Sequence, residues 1–416
     1  MNTSNTSFTQ TENSDEPVAK GTAQARDRDL RIGVIGAGNR GLLALNAHKP
    51  DKGSRIVAAA DIHQPFLDAI KEKCSPDFLT ADFRTLVARE DIDAVFVCTP
   101  DYLHEEHALA VLETGKALFL EKPMAITIEG CDRILRAAAT HGAKLYVGHN
   151  MRHMNFVIKM KQLIDRGLIG EVKAAWCRHF VGWGGDFYFK DWHADRRNTT
   201  SLLLQKGAHD IDILHWLCGG FSRRVTAMGG LTVYGKISDH DPSPMPGKRD
   251  WSTKNWPPLS LKGLNKVVDV EDLSMVNMEL DNGVFCSYQQ CHYTPDYWRN
   301  YTIIGTEGRI ENFGDGDKET VIRLWDKKSG YNPNGDAQFF APATDGSHGG
   351  ADPRIVDEFL KFVREGGETS VSPIAARYSV AAACMATDSL RNAGAPRNVP
   401  PLDPEIIAYF EQKPTA

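Results

Sequence analysis

The chain has 416 residues, 42% of them hydrophobic and 25% charged, with a net charge of −6. That length supports two domains with full cores, and the mildly acidic balance gives neither nucleic acid nor an anionic membrane surface a reason to bind. Eight scattered cysteines without a C-x-x-C pair, and no apolar run of membrane-spanning length, point to a reduced, cytoplasmic setting.

Residues 1–29 are polar and lack the apolar core of an export signal, so a disordered tail is expected there. At Leu30 the pattern changes. "LRIGVIGAG" reads as a buried strand running into a glycine turn, and "NRGLLALNAHK" continues at helical spacing. Strand-like "SRIVAAADI", "DIDAVFVCTP", "KALFLEKP" and "AKLYVGHN" then alternate with helical "PFLDAIKEKC", "DYLHEEHALAVLETG" and "TIEGCDRILRAAATHG". Alternation of this kind predicts a parallel sheet covered on both faces over residues 30–150. Beyond it, "NFVIKMKQLIDRGLIG" and "LLLQKGAHDIDILHWLCGG" read as helices closed by glycine. Runs of strands follow without intervening helices, and Asp281–Gly283 marks a hairpin. The fold class is therefore α/β, with an α+β second domain over 151–416 built on an open, mostly antiparallel sheet. A Pro-rich loop spans 238–260, a length often associated with function. The helix "ADPRIVDEFLKFVREGG" is expected to have Asp352 as N-cap and Pro353 in its first position. Two more helices close the chain.

Gly36, Gly38 and Gly41 stand in G-x-G-x-x-G spacing after a strand and before a helix, as a dinucleotide site requires. Asn39 and Arg40 lie inside that turn. Asp61, followed by Ile62, ends the second strand, where its carboxylate would bond a ribose hydroxyl and repel a 2′-phosphate. NAD is therefore expected over NADP. Thr99 and Pro100 end a further strand at the edge where parallel sheets hold their ligands, with His104 facing the same cleft. His104 and His107 have metal-like spacing but lack a third ligand nearby, so no metal is expected.

"FLEKPMAI" closes the next strand and brings Lys122 to that edge. Lys122 either pairs with Glu121 at the surface or bonds a substrate hydroxyl from a partly desolvated position. Farther on, Gln205, His209 and Asp212 share one face at helical spacing. His209 with Asp212 is either a structural pair or acid–base machinery.

Taken together, the glycine turn, "FVCTPDYLHEEHALAVLETGKALFLEKPMA", "VGHNMR", "GAHDIDILHWL" and "GTEGRIE" resemble the Gfo/Idh/MocA oxidoreductase family, from about Leu30 to the final helices. The resemblance implies a Rossmann domain joined to a sheet domain that often forms an oligomer interface. It implies Lys122 and His209 as catalytic residues, a cis bond before Pro123, and Asn150 and Arg152 near nicotinamide and substrate. Glu121 joins the expected cofactor contacts. Many members carry an aspartate where this chain has Gln205, and glutamine cannot act as a base.

"FVGWGGDFYFKDWHADRRNTT" should border the cleft, with Trp183, Tyr188, Trp192, His193, Arg196 and Arg197 as candidate sugar contacts; most such aromatics in proteins are core. Gln205, Asp212 and Arg152 complete the expected substrate set. The resulting expectation is hydride transfer between NAD and a secondary hydroxyl of a sugar, glycoside or cyclitol, by a homo-oligomer. The alternatives are a redox-neutral, NAD-retaining glycosidase working through C3 oxidation, and a non-catalytic dinucleotide-binding regulator.

Overall fold

A computed structural model describes residues 28–241, 252–316, 318–344 and 348–412. The expected tail lies almost wholly outside the described residues, as do positions 242–251 of the Pro-rich loop.

The first half runs β1 (Leu30–Ile35), β2 (Ser54–Ala60), α1 (Gln64–Cys74), β3 (Phe78–Thr80), α2 (Phe83–Val87), β4 (Ala94–Val97), α3 (His104–Leu112), β5 (Ala117–Leu120), α4 (Ile128–His141) and β6 (Leu145–Val147). All six strands are parallel, in the order β3-β2-β1-β4-β5-β6. The order reverses between β1 and β4, and the carboxyl edge beside that crevice is where such sheets bind ligands. β4 and β5 are buried along their whole length, which is why their sequences show no polar alternation. β3 and α2 went unforeseen, because three half-buried residues carry too little apolar signal. The stretch after the glycine turn, Asn39–Ala47, is a 3₁₀ helix rather than an α-helix.

The second half adds α5 (Asn155–Asp165), β7 (Val172–Phe180), α6 (Gly184–Tyr188), α7 (Arg196–Thr199), α8 (Leu202–Gln205), α9 (Gly207–Cys218) and β8 (Ser222–Gly230). β9 (His240–Asp241) and β10 (Leu264–Asn265) form a small separate pair. Then come β11 (Leu273–Leu280), β12 (Phe285–Cys291), β13 (Trp298–Gly305), β14 (Arg309–Phe313), β15 (Thr320–Trp325) and β16 (Ala337–Ala341), followed by α10 (Ala351–Glu365), α11 (Pro373–Arg391), β17 (Arg397–Asn398) and α12 (Pro404–Glu411). Nine strands order as β16-β15-β14-β13-β7-β12-β11-β8-β17, antiparallel except for the β7–β12 pair. The expected hairpin joins β11 to β12. α9 and α11 cover one face of this sheet. The other face leaves Trp176, Met228, Met275 and Phe285 exposed, at 47%, 72%, 49% and 61%.

α10 returns to the first half. Phe359 is fully buried against Phe96 and Phe119, with ring centroids 5.2 and 5.5 Å away. Burying such a ring contributes roughly 1.5–3 kcal/mol. Asp352 is not the N-cap: Gly350 takes that position in the left-handed region, and the Asp352 carboxylate points to Arg40 instead. Among the described residues no helix is long and apolar enough to cross a membrane. All eight cysteines are free.

Candidate functional site

The glycine turn is dictated by close approach. Gly36 has φ +85°, and a Cβ there would sit 2.8 Å from Thr99 N. A Cβ on Gly41 would lie 1.9 Å from Gly36 O, so only glycine closes the turn. Asp61 stands at the end of β2, where its carboxylate accepts from Ala37 N and His63 N, both at 2.8 Å. Ile62 beside it is exposed. Arg40 faces inward: Nε donates to Glu121 at 2.6 Å and the two Nη atoms reach Asp352 at 2.6 and 2.9 Å. Asn150 Nδ2 also donates to Asp352, while its Oδ1 is buried without a partner. This geometry revises two expectations. Arg40 and Glu121 join an internal ion-pair cluster that ties the glycine turn to β5 and α10, so their charged groups are first of all partners of one another and of Asp352.

Lys122 meets Glu121 only through its backbone N–H, which donates to the carboxylate at 3.0 Å. Its Nζ donates to the Gln205 carbonyl at 2.7 Å, across the interface between the two halves. The Lys122–Pro123 bond is cis. The ring nitrogens of His104 lie against two backbone carbonyls, those of Pro123 at 2.6 Å and Thr99 at 2.8 Å, and the single N–H of the neutral ring donates to one of them. His104 is therefore a brace for the Lys122 loop rather than a cofactor contact, and His107 bonds the Thr99 hydroxyl. Burial holds the Lys122 ammonium below its ordinary pKa, against the pull of Asp101 and Glu121. Burial likewise pushes the Asp101 carboxyl up to about 7, and Lys122 offsets part of that rise.

The helix expected to carry Gln205, His209 and Asp212 on one face is interrupted at Lys206, between α8 and α9. Gly207 lies at the break because a Cβ would meet the Tyr288 ring at 2.9 Å. The interruption presents the Gln205 carbonyl to Lys122. The Gln205 side-chain Oε1 is buried without a partner, as is His209 Nδ1. Burial, with the charges of Lys122 and Lys206, keeps the His209 imidazole well below its ordinary pKa.

Arg152 and Asp212 face each other. Arg152 Nε and Nη2 donate to the two carboxylate oxygens of Asp212 at 2.8 and 2.7 Å, and Nη1 donates to Ser370 O. Both are buried, so this bidentate pair clamps α9 to the segment after β6. Burial alone would raise the Asp212 carboxyl, but Arg152 and His149 hold it below the usual range. Asp210, one residue after His209, accepts from Tyr288 at 3.0 Å and from Tyr301, and forms an ion pair with Arg299 at 2.8 Å, which fixes the same helix to the sheet.

In the aromatic segment, Trp192 stacks on His193 at 3.7 Å, and His193 bonds Asp191. Arg196 is tied to Asp269 by three contacts near the surface, and Arg197 to Asp195; neither is directed to the Lys122–His209 cluster. Sequence reasoning missed Asp101, Lys206 and Asp352. Asp101 directly follows Thr99 and Pro100 at a strand end, a usable signal. Asp352 had none, because it reaches Arg40 from more than three hundred positions away.

Residues 30–149 match the family model described as "Oxidoreductase family, NAD-binding Rossmann fold", and residues 161–396 match "Oxidoreductase family, C-terminal alpha/beta domain". The chain is 34% identical over 202 residues to the 2,7-anhydro-N-acetylneuraminate hydratase of Mediterraneibacter gnavus, covering 48% of this chain and 52% of that one. It is 36% identical over 194 residues to an inositol 2-dehydrogenase/D-chiro-inositol 3-dehydrogenase of Halalkalibacterium halodurans, covering 45% and 52%. The chain thus spans about half the length of these two relatives. Among solved structures, levoglucosan dehydrogenase in complex with NADH and levoglucosan superposes with a TM-score of 0.72 at 22% identity, covering 90% of this chain and 100% of that one. That likeness is one of fold.

Proposed function

The chain belongs to the Gfo/Idh/MocA oxidoreductase family, and on that footing we propose that it transfers hydride between NAD and a secondary hydroxyl of a sugar, glycoside or cyclitol. One observation carries the reading. Lys122 at the carboxyl edge of the Rossmann sheet meets the Gln205–His209 segment of the other half, and buried acceptors there lack partners. The residues fit a dinucleotide: a turn that only glycine can close, a carboxylate at the end of β2, and an orphaned Oδ1 on Asn150, the residue after the β6 strand end. Bound there, the nicotinamide supplies the hydride acceptor or donor. The negative charge of Asp61 favours NAD over NADP.

Burial and the charges of Lys122 and Lys206 lower the proton affinity of His209, so its imidazole enters the step neutral, with a ring nitrogen free to accept; this weakens it as a base, and it takes the proton of the reacting hydroxyl as the hydride leaves. Lys122 exchanges its bond to the Gln205 carbonyl for one to the same oxygen and stabilises the developing alkoxide. Gln205 Oε1 accepts from a neighbouring hydroxyl. The eight free thiols support a reducing compartment for this chemistry.

Purified protein with a polyol panel, NAD or NADP, and NADH absorbance tests the reading. His209→Ala should lower kcat by about 10²–10⁴. Undiminished turnover in that variant would refute the role of His209. The hydratase among the relatives favours one second reading, a cycle in which the hydride returns before release. Product formation without net NADH would select it.

A further inference from the structure

His149 follows Gly148 just past the carboxyl end of β6, and the chemistry above leaves it unused. Its side chain is buried, and both ring nitrogens lack a hydrogen-bond partner among the described residues. An imidazole shut off from water in this way is costly unless it serves a group beside it. Two such groups are there. Its ring meets the His209 ring edge-on, with centroids 6.1 Å apart and planes at 78°. Its Nδ1 lies 3.7 Å from Asp212 Oδ2.

The helix explains why one ring reaches both. His209 and Asp212 are three positions apart on α9 and share a face, so a side chain set against that face lies beside the pair. The Arg152 clamp holds the Asp212 carboxylate in place, and Arg152 belongs to the turn Asn150–His153 that begins directly after His149. His209 needs such a neighbour. A neutral imidazole has one N–H and one acceptor nitrogen, and only one of its two tautomers offers the acceptor to the substrate. His209 Nδ1 is buried without a partner, which leaves Nε2 to face the reacting hydroxyl. For Nε2 to accept, the ring proton must sit on Nδ1, and a buried N–H there needs an acceptor.

We infer that His149 is a positioning residue: its Nδ1–H donates to Asp212, its Nε2 accepts from His209 Nδ1–H, and the His209 tautomer with a free Nε2 is thereby fixed. This rests on the dehydrogenase reading above and deepens it. The hydroxyl proton goes to His209 Nε2 as the hydride leaves carbon. The resulting imidazolium keeps its other proton on Nδ1, directed at His149, and no proton passes beyond His209. A carboxylate behind the accepting ring strengthens the bond as that positive charge forms. Both separations exceed hydrogen-bond length, as catalytic contacts often do before substrate closes a site.

The test has two readouts. The first is the nitrogen NMR spectrum of histidine-labelled protein with NADH at neutral pH, the His209 signals being those lost in His209→Gln. They should report the proton on Nδ1 in the wild type and in His149→Gln, whose amide oxygen still accepts. His149→Leu should lose that preference. The second is steady-state kinetics on a polyol that the wild type turns over. There His149→Leu should lower kcat about ten- to a hundredfold with KM little changed, the range of one hydrogen bond to a charged group, and His149→Gln should keep most of kcat. If His149→Leu fails to fold, His149→Met replaces it. A His209 proton on Nε2 in the wild type, a tautomer unaffected by His149→Leu, or equal losses of kcat in both variants overturns the inference. A raised KM for NAD with kcat unchanged assigns His149 to the cofactor and also overturns it. Absence of turnover on every polyol refutes the dehydrogenase reading while the tautomer readout still decides the role of His149. An active wild type with its His209 proton on Nε2 does the reverse.

Discussion

Asp212→Ala separates a structural clamp from a substrate contact. The carboxylate accepts two hydrogen bonds, at 2.8 and 2.7 Å, from an Arg152 side chain that is only 7% exposed. Removing it strands a buried guanidinium with one remaining partner, the Ser370 carbonyl. Breaking a buried pair from one side costs about 3–5 kcal/mol, while replacing both partners by apolar groups of similar volume is often nearly neutral. Asp212→Ala is therefore expected to lose about 3–5 kcal/mol in urea unfolding followed by tryptophan fluorescence. The double variant Arg152→Met/Asp212→Leu should recover most of that loss, giving a large coupling energy in the cycle. KM measured on the same proteins discriminates the alternatives. A stability loss under about 1 kcal/mol together with a large rise in KM would refute the clamp and restore Asp212 to the substrate.

Asp101→Asn removes a charge that raises the proton affinity of Lys122, so Lys122 should deprotonate at lower pH and the alkaline limb of kcat/KM should move down; an unmoved limb would separate the two residues. Acid stability should decline early. Burial depresses His107 to about 4, His179 to about 3 and His215 to about 4, so between pH 6.5 and 4 the unfolded chain binds more protons than the folded one. That contribution is complete above about pH 6.5 and falls by about 1.4 kcal/mol per pH unit per histidine as pH drops; urea midpoints flat from pH 7 to 4.5 would contradict it. The exposed sheet face with Trp176 and Phe285 should bury itself against a second copy, so light scattering should report a multiple of the chain mass and Trp176→Asp should shift it toward monomer.

Much of the dinucleotide half was legible in the sequence, because its signals are local. Buried parallel strands are apolar runs, glycine is required where backbone meets backbone, and Asp61 sits at a strand end that periodicity alone locates. Lys122 and His209 could be placed on their elements by the same logic. What each side chain bonds to could not. Glu121 looked like the partner of its neighbour Lys122, yet it is held by Arg40, and Lys122 reaches a carbonyl 83 positions away. A strand-end position puts His104 at a ligand, the family resemblance does so for Arg152, helical spacing for Asp212 and a bond-rich segment for Arg196, whereas packing supplies each with a protein partner.

The reason is the cost of desolvation. A polar group near a cleft must be paired once water is excluded, and the nearest partner is chosen by three-dimensional proximity, to which sequence distance is no guide. The sequence by itself determined the fold, the glycine turn and the kinds of residue available to the site. Only the tertiary structure decided which of them are spent on one another, and which polar atoms remain over: Gln205 Oε1 and His209 Nδ1.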